Sequence, residues 1–185
     1  MRVPLDTTDC IRPLRVVAHG ATCGGAFLVS FRLQHTKYAL AGIAEGDDAR
    51  RACDLLVDSL EGWKGRDALA ALRRGLQVVH APARATVVLF RGRMIHLAQG
   101  GPSSVFLVRD RQLSRLSAKG SAHHPLLVTS AGQPGDRVLL ASDSLVQHHR
   151  AQTITDTLAT LPAEVAATRL VGEDHNFTAV VAHLR

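Results

Sequence analysis

Pro134-Gly135-Asp136-Arg137-Val138-Leu139-Leu140-Ala141-Ser142-Asp143-Ser144-Leu145 is the stretch against which the rest of the chain takes its order. Pro134 presets φ and Gly135 tolerates positive φ, so Pro134-Gly135-Asp136 reads as a tight turn. Arg137 to Ala141 is a short apolar run of strand character. It exits onto Asp143, and a carboxylate at the end of a buried strand is placed to hold a hard cation rigidly. A second reading has Ser142 or Asp143 capping the helix that Leu145 begins, so that the residue ties strand to helix.

Downstream, the spacing predicts a helix from about Ser144 to Leu161, stopped at Pro162. A segment over Glu164 to Leu170 follows, and a last strand over Phe177 to Leu184 is entered from Gly172-Glu173-Asp174-His175-Asn176. Upstream lie short extended pieces with turn residues between them: Ala85 to Phe90, Met94 to Ala98, Val105 to Arg109, Gln112 to Ser117 and Leu126 to Thr129. The first four predict an antiparallel meander.

Before them, Ala49, Cys53, Leu56, Val57 and Leu60 recur at helical spacing, predicting an amphipathic helix over Asp48 to Glu61 with acidic residues at its positive end. A second helix runs from Arg66 to about Val78 and cannot pass Pro82. Val16 to Ala18 reads as a short strand turned at His19-Gly20. Gly24 to Phe31 and Lys37 to Ala44 read as a hairpin-like strand pair. Strands, two helices, a strand run, a helix and a last strand predict an α+β domain with antiparallel sheets and helices outside.

A chain of 185 residues reads as one domain, residues 1–185, able to bury a core without staples. No apolar run approaches a membrane span, and the N-terminus lacks the apolar core of a signal peptide, which points to the cytoplasm. Cys10, Cys23 and Cys53 are too scattered for a zinc motif or a disulfide framework. The net charge of +6 raises a nucleic-acid reading. Scattered cations, no Lys/Arg tract and only seven aromatics (five Phe, one Trp, one Tyr) argue against it. The pairs His123-His124 and His148-His149 suggest zinc, but adjacent residues point apart. No motif places a base beside a cysteine or serine nucleophile.

Five segments together resemble the metal-dependent Ser/Thr protein phosphatases, the PPM or type-2C family. That family's Pro-Gly-Asp-x-Leu-Leu-Leu-x-Ser-Asp-Gly-Leu is similar to Pro134 to Leu145, with Ser144 in place of Gly. Its Ala-Asp-Gly-Met-Gly-Gly is similar to Ala44-Glu45-Gly46-Asp47-Asp48, and its Gly-Asp-Ser-Arg to Gly101-Pro102-Ser103-Ser104. The C-terminal Asp-Asn-x-Thr-x-Val-Val resembles His175 to Val181, and Glu-Asp-Ala-Phe resembles Gly24-Gly25-Ala26-Phe27. The resemblance covers about residues 16–185. It implies a four-layer αββα fold, a β-sandwich of two packed antiparallel sheets flanked by helices.

The resemblance also implies a chemistry, and its residues depart from it. In the family, aspartates at strand ends hold two Mn²⁺ or Mg²⁺ ions that activate water and clamp the phosphoryl oxygens. Position by position, those aspartates fall on Gly25, Glu45, Pro102 and His175, and Asp143 alone is unchanged. Glycine and proline carry no ligand, and imidazole is a poor ligand for a hard cation. The expectation is therefore a catalytically inactive pseudophosphatase, with no catalytic residue assigned. It would act by binding a protein partner, a Ser/Thr kinase or a phosphoprotein, in phosphorylation signalling, with no nucleic acid and no membrane. The first alternative is a divergent metal-dependent phosphoprotein phosphatase whose remodelled metal site joins Asp143, Glu45 and His175, with Asp47 or Asp48 assisting and Mn or Mg as the ion. The second is a basic adaptor for an acidic partner. The plain structural reading of Glu45 and Asp143 is as capping or hydrogen-bonded carboxylates, with His175 in a loop.

Overall fold

The computed structural model describes residues 16–23, 28–34, 38–61, 63, 67–79, 84–118, 125–172 and 177–185. In chain order these form β1 (Val16–Cys23), β2 (Leu28–Gln34), β3 (Ala39–Glu45), α1 (Ala49–Glu61) and α2 (Ala68–Gln77). Next come β4 (Arg84–Arg91), β5 (Met94–Gln99), β6 (Ser104–Arg109), β7 (Gln112–Arg115), β8 (Leu126–Ala131) and β9 (Arg137–Ala141). The chain closes with α3 (Asp143–His148), α4 (Ala151–Thr160), α5 (Ala163–Val171) and β10 (Phe177–Leu184). The strands make two antiparallel sheets, in the orders β1-β10-β9-β6-β7 and β2-β3-β4-β5-β8.

Side chains alternate across a strand, so each central strand feeds two apolar layers. Ile43, Val88 and Leu97 of one sheet meet Val105, Leu140 and Val180 of the other and fill the space between them. The intervening Leu40, Val87 and Leu89 face α1 and α2. Leu139, Ala141 and Val181 face α4 and α5. Burial on both faces explains why Val138 to Ala141 reads as an unbroken apolar run rather than an alternation. The arrangement is the expected α+β, four-layer αββα sandwich.

Local signals place the helices. Asp67 caps α2, its carboxylate accepting the Ala70 N–H at 2.9 Å. This moves the start from the expected Arg66 to Ala68. Tyr38 stacks edge-on against Trp63 and donates its hydroxyl to the Leu60 carbonyl at 3.3 Å, closing the end of α1 onto the sheet.

Three local expectations are corrected. The meander is divided: β4 and β5 pair in one sheet, whereas β6 and β7 pair in the other. The chain changes sheets at Gly100-Gly101-Pro102, where the Gly100 N–H reaches the Ala85 carbonyl at 2.8 Å. A Cβ on Gly100 would stand 3.2 Å from that oxygen, so the crossing requires the close backbone approach. The helix expected over Ser144 to Leu161 is two helices, α3 and α4. The backbone is extended at His149 (ψ 136°) and Arg150 (ψ 146°), where the His149 ring meets the Leu170 carbonyl, Nε2 to O 2.8 Å. The turn expected at His19-Gly20 is absent, because β1 pairs residue for residue with β10 from Val16 to Cys23. The strand pieces expected over residues 24–27 and 37 lie outside the described residues.

The end of the sandwich where β9 begins is tightly closed. Gly135 has φ 92°, and the Asp136 N–H returns to the Gln133 carbonyl at 3.1 Å, completing the expected turn. The Asp136 carboxylate, 1 % exposed, takes two bonds from Arg109, at 2.9 and 2.6 Å, and one from the Gln133 N–H at 2.8 Å. The backbone then clasps β10 through Gly135 N–H to Leu184 O at 2.8 Å and Leu184 N–H to Asp136 O at 3.0 Å.

Candidate functional site

At the exit of β9 the two sheets bring together groups that are distant in sequence. β3 ends on Glu45 and β9 leads through Ser142 to Asp143, which starts α3. Ser142 occupies the cap position, but its hydroxyl makes no cap bond to α3. Ser142 Oγ instead accepts the Thr178 N–H at 3.2 Å and pairs with Ser144 Oγ at 3.2 Å. Asp143 lies inside the first turn, exposed, and accepts from Gln147 Nε2 at 2.5 Å. Neither side chain caps α3, and Ser142 rather than Asp143 ties the strand end to its neighbour.

Glu45 is partly buried, and its carboxyl is pushed up to about 7, first by desolvation and then by the negative charge of Asp143. Arg84, its partner across β3 and β4, and the backbone amide of Ser103 oppose the rise. The two carboxylates expected to converge therefore do lie within electrostatic reach of each other. The Glu45 Oε1 atom is buried and has no hydrogen-bond partner among the described residues.

Pro102 is exposed between β5 and β6, and the Ser103 that follows it is fully buried. His175, Gly25 and the pair His123-His124 lie outside the described residues. Asp47 and Asp48 are exposed in the turn before α1. The rings of His148 and His149 stand 5.2 Å apart, nearly perpendicular, beside Phe177, and His149 is committed to Leu170. Cys53 is buried, and desolvation with the nearby Asp54 pushes its thiol up to about 12, a direction that suppresses the nucleophilic thiolate.

Three polar residues that sequence reasoning passed over belong to this end. Thr86, Gln99 and Ser103 are 0 %, 4 % and 0 % exposed, and each has one buried side-chain oxygen without a partner. The signal was present, since Thr86 and Gln99 are polar residues at inward positions of otherwise apolar strands.

The donor set does not fit a two-ion centre. Gly25 and Pro102 carry no ligating side chain, and among the described residues no three His, Cys, Asp or Glu side chains are gathered to hold an ion. No helix of the described residues is long and apolar enough to cross a membrane.

Comparison with solved structures identifies the architecture. The catalytic domain of the serine/threonine protein phosphatase PstP, solved in complex with two manganese ions, matches with a TM-score of 0.70 and 24 % identity, covering 92 % of this chain and 98 % of that one. The chain has the fold of the type-2C phosphatase domains. PppA, a regulatory component of the type VI secretion system in Pseudomonas aeruginosa, matches with a TM-score of 0.72 and 20 % identity over 94 % of this chain and 98 % of its own. RsbX, solved in complex with magnesium, matches with a TM-score of 0.70 and 13 % identity over 94 % and 96 %. No family model and no curated protein matches the sequence. The PPM-type fold expected from the five segments is thus observed on its own evidence of shape.

Proposed function

We propose that this chain is a degenerate member of the PPM family, a pseudophosphatase domain that acts by binding a protein in Ser/Thr phosphorylation signalling, a kinase or a phosphoprotein being the partner. The observation that carries the reading is the mismatch between scaffold and ligands. The type-2C fold is complete among the described residues, while the positions that resemble the family's aspartates hold Gly25, Glu45, Pro102 and His175. A bridging water is activated by the summed charge of two ions, and glycine and proline supply nothing to hold them. Glu45, pushed up to about 7, further weakens the site as a permanent anion. The test is phosphate release from p-nitrophenyl phosphate and from a phosphoserine peptide with Mn²⁺ and Mg²⁺. Turnover that Asp143→Ala abolishes overturns the proposal.

A second reading is favoured by the pairing of Glu45 with Asp143: a divergent phosphatase with one remodelled Mn²⁺ or Mg²⁺ at Glu45, Asp143 and His175. The mutual repulsion of the two carboxylates is the condition that a cation between them relieves. Titration calorimetry with Mn²⁺, Mg²⁺ and Zn²⁺ tests it, and a response that His175→Ala and Asp143→Ala leave intact removes it.

A further inference from the structure

We propose that Glu45, Thr86, Gln99 and Ser103 form an internal site for a single hard, oxygen-seeking metal cation, seated between the two sheets behind the strand ends. Every buried side-chain polar atom left without a partner among the described residues belongs to these four residues, and all four atoms are oxygens. Buried polar groups are almost always paired, so four orphans in one region call for a ligand.

The placement follows from register. Thr86 stands opposite Ile43 on one side and opposite Gln99 on the other. Glu45 lies two residues beyond Ile43, and Thr86, Gln99 and Glu45 share the parity of Val88, Leu97 and Ile43, the residues that face the other sheet. The Ser103 amide bonds the Glu45 carboxyl, and Gln99 Nε2 donates to the Ser103 carbonyl at 3.0 Å. The four residues are therefore neighbours at one end of the intersheet layer.

Chemistry selects a cation. Gln99 Nε2 donates to three carbonyls, those of Gly101, Ser103 and Ala118, at 3.1, 3.0 and 3.3 Å, which fixes the amide orientation and leaves Oε1 as the free atom. The free set is then one carboxylate oxygen, one amide oxygen and two hydroxyls, four oxygens whose lone pairs outnumber the two O–H protons among them. Carboxylate, amide and hydroxyl oxygens are hard ligands, and none is a soft or imidazole donor. Asp143 lies outside this set and only adds field.

The experiment is thermal melting of the chelator-stripped 185-residue protein in choline buffer, titrated with Mg²⁺, Mn²⁺, Ca²⁺ and K⁺ and paired with calorimetry. At about a hundredfold excess over the dissociation constant, the preferred cation raises Tm by about 5–10 °C. Thr86→Val and Ser103→Ala abolish most of that rise, while Thr86→Ser and Asp143→Ala retain it. No rise with any cation overturns the proposal, as does a rise that survives both Thr86→Val and Ser103→Ala. A rise lost in Asp143→Ala and kept in Thr86→Val overturns it too, and places the ion at the strand ends of the second reading above. Phosphatase turnover is not a readout, so the site stands or falls independently of the pseudophosphatase reading.

Discussion

Asp136 lies one residue before β9 and Glu45 lies near its exit, and the molecule treats these two carboxylates in opposite ways. Asp136 is 1 % exposed and carries three hydrogen bonds, two of them from a guanidinium. Its desolvation is offset by a fixed countercharge, and the strands around it are clasped by backbone bonds. Glu45 is desolvated beside another carboxylate, with an oxygen left unpaired. Charge pairing closes the Arg109 end, and the Glu45 end holds a desolvated carboxyl with no countercharge bonded to it among the described residues.

The largest expected effect tests the closed end. Arg109→Ala, which leaves the 1 % exposed Asp136 carboxylate without its cation, should cost about 3 kcal/mol in urea denaturation, and Asp136→Ala, which leaves a guanidinium 32 % exposed, should cost less, about 2 kcal/mol. A cost under about 1 kcal/mol for both would end the distinction.

Next is the pH dependence of the open end in chelator. The folded-state pKa of Glu45 is raised from 4.5 to about 7, so the folded state holds the proton more tightly than the unfolded one. Its contribution is fully present below about pH 4.5 and is lost as pH rises through 7. Discounted for partial exposure, the loss is about 2 kcal/mol between pH 5 and 8. Glu45→Gln should flatten that part of the profile. His96 and His183, lowered by burial, work in the other direction, losing stability as pH falls. The difference between wild type and Glu45→Gln isolates the carboxyl, and equal slopes for the two would refute its assignment.

Smaller still, Ser103→Ala and Thr86→Val in chelator should change stability by less than about 1 kcal/mol, or raise it, since each removes a hydroxyl that has no bond to lose. A cost of 2 kcal/mol or more would show that these oxygens are already satisfied. The smallest effect is expected at Asp143. Exposed and, among the described residues, hydrogen-bonded through its side chain to Gln147, it should cost about 0.5 kcal/mol on replacement by Ala, measured by the same melts. Asp143 thus does not make the expected strand-to-helix tie, and Ser142 instead ties the end of β9 to β10 through the Thr178 N–H.

Periodicity and turn chemistry were enough for the element order. The bounds of β9 and β10 were legible to the residue, because Pro134-Gly135 and the apolar runs that follow leave one way to place a strand. The electrostatic reach of Asp143 to Glu45 agrees with the order of the resembling segments, while His175, the third residue expected there, lies outside the described residues. Sheet membership was not. A local pattern reports that β5 and β6 are strands, whereas the choice of sheet at Gly100-Gly101 depends on the backbone of β4, which lies elsewhere in the sequence. Nor did the pattern distinguish Asp136 from any turn aspartate, because burial and the Arg109 partner arrive from 27 residues away. Thr86, Gln99 and Ser103 each look ordinary alone. Sequence therefore specified the strands and their polar exceptions, and tertiary structure decided which exceptions are buried together, because desolvation is a property of what packs around a group and not of its neighbours along the chain.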